Sequence, residues 1–193
     1  MALQRRQLMA LGLTCSVALP ARADAGADTV AAQLRAGGVV IAFRHALAPG
    51  TFDPPGFRLG QCSTQRNLND AGRAQAQRIG AWFRQQGLQP AAVRSSPWCR
   101  CMDTATLAFG RADSWRALGS PRAGTEETNA ASLAELRRAV AAASADRTRF
   151  EVWVTHMFVL SDLVGGGASS GEGLVLRGTA DGRPEVLARL NLA

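Results

Sequence analysis

Two uninterrupted apolar runs organise the chain. Val39-Val40-Ile41-Ala42-Phe43 closes on Arg44-His45, and Val152-Trp153-Val154-Thr155 closes on His156. Runs of β-branched and aromatic residues without polar alternation predict strands buried on both faces, as in parallel sheets. The chain has only two histidines. Both then emerge at strand C-terminal ends, where open α/β sheets place their ligands.

The rest of the pattern alternates helix and strand. Asp28 is placed to cap a short helix over 29–36 that Gly37-Gly38 ends. Ala74, Ile79, Trp82 and Phe83 fall at helical spacing, which predicts a helix from Asn69 or Asp70 to about Gln86, with Gly87 just past its end. A short strand over 91–95 turns through Ser96-Pro97 into a second helix over 99–109. Residues 110–127 read as loop, and 128–143 as a third helix with Leu133, Leu136 and Val140 inward. A short helix over 158–163 follows the strand that ends at Thr155. Strands over 174–177 and 185–190, joined through Asp181-Gly182 as a hairpin, close the chain. The architecture expected is a three-layer α/β/α sandwich with a mostly parallel central sheet. One stretch fits no element: residues 46–67, rich in proline, glycine and polar side chains, leave directly from His45. Connections longer than about 12–15 residues are usually functional or disordered.

With 193 residues, one sizeable core and one domain are expected. Residues 1–23 have the form of a secretory signal: Arg5 and Arg6, an apolar stretch from Leu8 to Pro20, and Ala21-Arg22-Ala23 as a small-x-small cleavage site. The paired arginine suits either a plain n-region or a twin-arginine signal. The apolar stretch is too short to span a membrane, so no stable membrane anchor is expected. The folded domain would be 24–193, in the periplasm or secreted. Losing residues 1–23 removes three arginines and no acid, which lowers the formal charge from +7 to +4. All 22 basic residues are arginine, so arginine abundance alone says little. The dispersed charge argues against a nucleic-acid partner. Cys62, Cys99 and Cys101 remain after cleavage. In an oxidising compartment these imply one disulfide and one leftover thiol. Cys99 and Cys101 can hardly bond each other without distorting the turn, so Cys62 is expected to pair with one of them. Cys99 is preferred because Cys101 sits deeper in the helix. The Cys99-x-Cys101 spacing is too tight for a zinc knuckle, and neither a metal nor another cofactor is expected.

Three segments can carry phosphate chemistry. Arg44-His45 sets a nucleophilic imidazole beside a guanidinium able to neutralise phosphoryl oxygens. Arg100 sits in the first turn of a helix, where side chain and free backbone N–H groups can both face an anion. His156 can donate to a phosphoryl oxygen or orient the first histidine. Taken together, the sequence resembles the histidine phosphatase superfamily, which includes phosphoglycerate mutases and many phosphatases. The resemblance rests on Arg44-His45, on Leu68-Asn69-Asp70-Ala71-Gly72-Arg73-Ala74-Gln75-Ala76, on Ser95 to Ala105, and on His156 after an apolar strand. These landmarks follow the family's order.

The resemblance implies a phosphoglycerate mutase-like fold and a nucleophilic His45 that becomes phosphorylated. Arg44, Arg100 and His156 would form the phosphate pocket, with Arg66 a substrate contact. Two positions depart from the family pattern: Ala46 follows the first histidine where many members have glycine, and Met157 follows the second, which excludes a His-Asp general acid. Glu126, Glu127 and Glu172 are the remaining acid candidates, and the residues do not choose among them. The expected function is an exported phosphomonoester phosphatase acting on a phosphorylated small molecule or envelope glycan. Cys-Ser-Thr-Gln-Arg-Asn-Leu and Trp-Cys-Arg-Cys look similar to a branch that includes lipopolysaccharide core heptose phosphatases. The alternative is a catalytically silent phosphate- or phosphoglycan-binding protein of the same fold.

Overall fold

Strand β1 (Val39–Arg44) lies inside a six-stranded sheet with its first five residues fully buried, as expected from a run with no polar alternation. The computed structural model describes residues 25–120 and 130–192. The other strands are β2 (Ala92–Ser95), β3 (Asp113–Ser114), β4 (Phe150–Thr155), β5 (Gly173–Gly178) and β6 (Pro184–Leu190), in the order β3-β2-β4-β1-β5-β6. β1 pairs parallel with β4 in a register that sets Arg44 opposite Thr155. β2 pairs parallel with both β4 and β3. β5 and β6 form an antiparallel hairpin, and β5 runs antiparallel to β1. The mostly parallel sheet holds.

Among the described residues five helices complete the layers: α1 (Ala25–Ala36), α2 (Asp70–Gln85), α3 (Cys99–Phe109), α4 (Ala130–Ala145) and α5 (Met157–Val164). One face of the sheet packs Val39, Ile41 and Phe43 against Leu34 of α1, Ile79 and Phe83 of α2, and Ala105 of α3. The other packs Val40, Ala42 and Trp153 against Leu136 and Val140 of α4 and Leu160 of α5. Alternate residues of β1 thus serve opposite cores, which is why the run contains no polar position.

Several boundaries differ from the sequence reading. Helix α1 begins at Ala25 and takes Asp28 into its first turn, so Asp28 is not the cap. Residues 110–120 contain a two-residue edge strand, β3, and a 3-10 turn (Arg116–Leu118). Nothing apolar marks Asp113 and Ser114, both exposed, because their pairing follows from β2 beside them. The third helix is found as α4, Ala130–Ala145, two residues longer at its C-terminal end than the pattern suggested.

Helix α2 explains the Leu68 to Ala76 pattern physically. Asn69 caps it, its side chain accepting from the Gly72 N–H at 2.8 Å. Leu68 and Ala76 are buried with Ala46 and Ala48. Gly72 lies so close to the chain leaving His45 that a Cβ would stand 2.0 Å from the Leu47 carbonyl oxygen. Gln75 accepts from the Leu47 N–H (3.0 Å) and donates to the Ser170 carbonyl (2.7 Å). Helix α2 therefore braces the segment after His45. Gly72→Ala should push the helix off that segment, costing about 1–3 kcal/mol of stability as an overpacked contact. A denaturation midpoint equal to wild type would show that the helix start yields freely.

Candidate active site

His45 and His156 stand at the C-terminal ends of neighbouring parallel strands, and their ring centroids are 5.6 Å apart. Both are almost completely buried. His45 is fixed at its backbone by N–H donation to the Thr155 carbonyl (2.9 Å) and at its ring by Nδ1, 2.7 Å from the Ala46 carbonyl oxygen. A carbonyl only accepts, so Nδ1 carries the proton and Nε2 keeps a free lone pair. Burial, with the charges of Arg100, Arg66 and Arg44 added, outweighs the Ala46 hydrogen bond and lowers the His45 pKa to about 3. At neutral pH the ring is uncharged and nucleophilic.

His156 is held in the other tautomer. The guanidinium of Arg100 can only donate, and its Nη2 lies 3.4 Å from Nδ1. Nε2 therefore carries the proton and donates to the Ser96 hydroxyl at 2.7 Å. Burial, then Arg100 and His45, hold its pKa well below the usual histidine value. The Trp98 ring packs edge-on against it at 5.2 Å.

A cavity of about 120 Å³ is lined by Arg44, His45, Gly50, Thr51, Arg66, Arg100, Ser120, His156, Met157 and Phe158. That volume holds a phosphoryl group and little more. Arg44 donates to the Ala168 carbonyl (3.0 Å), and Arg66 to the Ala48 carbonyl. Among the described residues, the Nε atoms of Arg44, Arg66 and Arg100 are buried with no hydrogen-bond partner, as are those of Arg137 and Arg177 away from the cavity. Buried polar groups of this kind call for an explanation, and for the three that line the cavity an anion supplies one. Arg100 is braced at its own carbonyl, which accepts from Thr104 at 2.7 Å, while the Thr104 hydroxyl accepts from the Ala46 N–H at 3.0 Å. One turn of α3 thus ties Arg100 to the residue after His45.

The sequence reading missed Asp53. This side chain, 7% exposed, ion-pairs with Arg100 Nη1 at 2.8 and 3.2 Å. It also accepts from the Arg66 backbone N–H (2.9 Å) and from the Trp98 indole (3.3 Å). Three guanidiniums against one carboxylate leave two net positive charges around the cavity, matching a phosphoryl dianion. One signal was available: Asp53 is the sole acid between Asp28 and Asp70.

Cys62 and Cys99 form the disulfide, and Cys101 is the buried leftover thiol. Burial pushes the Cys101 thiol up to about 12, so it packs rather than reacts. The bond fastens the 46–67 loop to the start of α3, one residue before Arg100. Gln65 adds a second fastening, accepting from the Cys99 N–H at 3.0 Å.

Of the acid candidates, Glu172 is not brought to the cavity. Glu172 pairs with Arg189 (3.0 Å) and accepts from the Ser169 N–H (2.7 Å), so it closes the 165–172 loop and does not line the pocket. Glu126 and Glu127 lie outside the described residues, as does the 1–23 segment. Among the described residues, no group of three His, Cys, Asp or Glu side chains is placed to hold a metal ion. Nor is any helix among them long and apolar enough to cross a membrane. A larger hollow, about 620 Å³, lies between the C-terminal turns of α2 and α3, lined by Phe83, Arg84, Phe109 and Arg111 among others. It contains none of the chemistry described above.

Comparison with known proteins bears on this geometry. Residues 40–119 match the histidine phosphatase superfamily (branch 1). The matched stretch contains Arg44, His45, Arg66 and Arg100, and His156 joins them from the end of β4. The fold is similar to that of the protein histidine phosphatase SixA complexed with tungstate (13% identity, TM-score 0.55, 79% of this chain and 96% of the other). It is also similar to a mutant phosphoserine phosphatase from Entamoeba histolytica in complex with phosphoserine (13%, 0.55, 78% and 95%). A mycobacterial glucosyl-3-phosphoglycerate phosphatase shares it as well (18%, 0.52, 78% and 97%). At these identities the likeness concerns the fold, which is phosphoglycerate mutase-like. No curated protein sequence matches the chain.

The neutral, buried histidines make stability depend on pH. In the unfolded chain each titrates near 6.5, whereas in the folded chain both are held lower, His45 to about 3. Below about pH 6.5 the unfolded state binds protons that the folded state refuses, so stability falls with acidification. Between pH 6.5 and 5, before most carboxylates titrate, the loss should approach about 1.4 kcal/mol per unit for each histidine. Urea midpoints across that interval measure it, and a flat profile would contradict neutral burial of the pair.

Proposed function

We propose that the protein is an exported phosphomonoester phosphatase that works through a phosphohistidine on His45. The observation that carries this reading is the free Nε2 lone pair of His45, fixed by the Nδ1 bond to Ala46 and facing a small cavity ringed by three arginines. The lone pair attacks phosphorus, the bond to the ester oxygen breaks, and the departing alkoxide takes a proton from a general acid or from water. Water then attacks the phosphohistidine and returns a proton to that donor's conjugate base, the P–N bond breaks, and inorganic phosphate leaves with His45 restored. Arg44, Arg66 and Arg100 hold the phosphoryl oxygens with charge-assisted hydrogen bonds. The arriving dianion favours protonation of His156, which turns its Nδ1 from acceptor to donor.

Export rests on the signal-like residues 1–23 and on the Cys62–Cys99 bond, which suits an oxidising compartment. The substrate's organic part lies outside a cavity that takes little more than the phosphoryl group. A phosphorylated small molecule or an envelope glycan, such as a phosphorylated lipopolysaccharide core sugar, fits that arrangement.

A second reading, a phosphate-binding protein without turnover, is favoured by one observation: among the described residues no carboxyl lines the cavity. Leaving-group chemistry separates the two. An aryl phosphate needs little protonation to depart, whereas an alkyl phosphate needs much. Hydrolysis of both by the wild-type protein supports the phosphatase. Selective loss of the alkyl activity in Glu126→Gln, Glu127→Gln or Glu172→Gln then assigns the acid. Binding of phosphate without hydrolysis of either ester would establish the second reading.

A further inference from the structure

We propose that Asp53 is a positioning residue that sets Arg100, and through it the phosphate pocket, for anion binding. The inference deepens the phosphatase reading, on which it rests for the identity of the ligand. Three donors make four contacts with this one carboxylate: Arg100 Nη1 to both oxygens, the backbone N–H of Arg66, and the indole N–H of Trp98. Each belongs to a different segment. Arg100 is on α3, Arg66 ends the 46–67 loop, and Trp98 precedes α3 with its ring against His156.

The division of the Arg100 guanidinium is the central point. Asp53 takes Nη1, whereas Nη2 is left toward His156 and the cavity. A long side chain with several rotamers is thereby reduced to one presentation, and ligand binding need not supply the cost of ordering it. A neutral partner would leave the guanidinium less firmly held, since it loses the Coulomb attraction that the carboxylate adds to the hydrogen bonds. Asp53 itself does not line the cavity, and its oxygens are taken up by the three donors. It therefore acts through Arg100 rather than on the ligand.

Tungstate, a phosphate mimic that need not turn over, is the suitable probe. The measurement is equilibrium binding to the full chain with its disulfide intact. Asp53→Asn keeps the shape and removes the charge. It should weaken tungstate at least about tenfold, the effect of loosening one charged hydrogen bond, while the chain stays folded by its thermal midpoint. Asp53→Ser serves the same purpose should the asparagine variant fail to fold. Arg100→Ala should also weaken tungstate. Adding Asp53→Asn to Arg100→Ala should change affinity by less than about twofold, because the two residues form one coupled unit. A residue that merely supported the loop would weaken the double variant further. Wild-type affinity in both Asp53 variants, or an independent further loss in the Arg100→Ala background, would overturn the proposal. Failure of tungstate to bind the wild-type chain would overturn it too. The phosphatase reading is judged separately, by ester hydrolysis and by label on His45.

Discussion

His45→Ala is expected to abolish phosphomonoester hydrolysis while the chain remains folded. The imidazole is the nucleophile in the proposed reaction, and the chain's other histidine has no lone pair free for the ligand. The His156 Nδ1 lone pair faces Arg100, and its Nε2 proton is committed to Ser96. The second histidine therefore cannot replace the first. With a phosphoryl donor labelled at phosphorus, the wild-type protein should retain label through an alkaline quench and lose it in acid, the behaviour of a phosphoramidate. The alanine variant should retain none. Nucleophile loss removes the pathway rather than slowing it, so residual activity above the buffer rate would argue that water attacks phosphorus directly. Full activity in the variant would end the phosphohistidine reading.

The second large effect concerns Arg100. Arg100→Ala removes a preorganised guanidinium from the phosphoryl oxygens, and a lost donor of this kind costs about 10²–10³ in kcat, or roughly 3–4 kcal/mol. It also leaves the nearly buried Asp53 carboxylate without its ion partner. Breaking a buried pair by deleting one member typically destabilises by about 3–5 kcal/mol, because the remaining charge is uncompensated. The variant should therefore be both slow and fragile. Adding Asp53→Asn to it removes the stranded charge, so stability should return in part while activity does not. Equal stability of the single and double variants would mean that Asp53 gains no net advantage from Arg100. Kinetics on an aryl phosphate and urea unfolding of the same samples measure both consequences.

Much of this arrangement was legible in the sequence because it depends on local signals. The run before Arg44-His45 contains no polar residue, since each of its side chains enters one of two cores. Leu68, Gly72, Gln75 and Ala76 fall at fixed spacing because one helix start must bury, approach and hydrogen-bond the same short segment. The pairing of Cys62 with Cys99 rather than Cys101 followed from where each cysteine stands in the helix. Asp53 carried no such signal. It belongs to no periodic element and reaches Arg100 from 47 residues away, across a loop whose path the sequence does not specify. Glu172 failed in the opposite way. It is well placed in the chain, on the loop after the second histidine, yet its side chain turns to Arg189 on β6. Proximity in sequence constrained the backbone and left the side-chain direction open.

The disulfide has a topological consequence. Cys62 and Cys99 close a covalent ring that contains the whole of α2 and β2. Helix α2 therefore cannot peel away on its own, because the segment that carries it is closed on itself by the bond. Opening that ring segment must disturb Gly72 and Gln75, which brace the chain after His45, together with the first turn of α3. The two halves of the phosphate cavity are thereby joined in one cooperative unit, with a shared opening free energy. In native-state hydrogen exchange, amides of α2 and of the first turns of α3 should exchange together with the disulfide formed. Reduction should separate them into two classes, with α2 the faster.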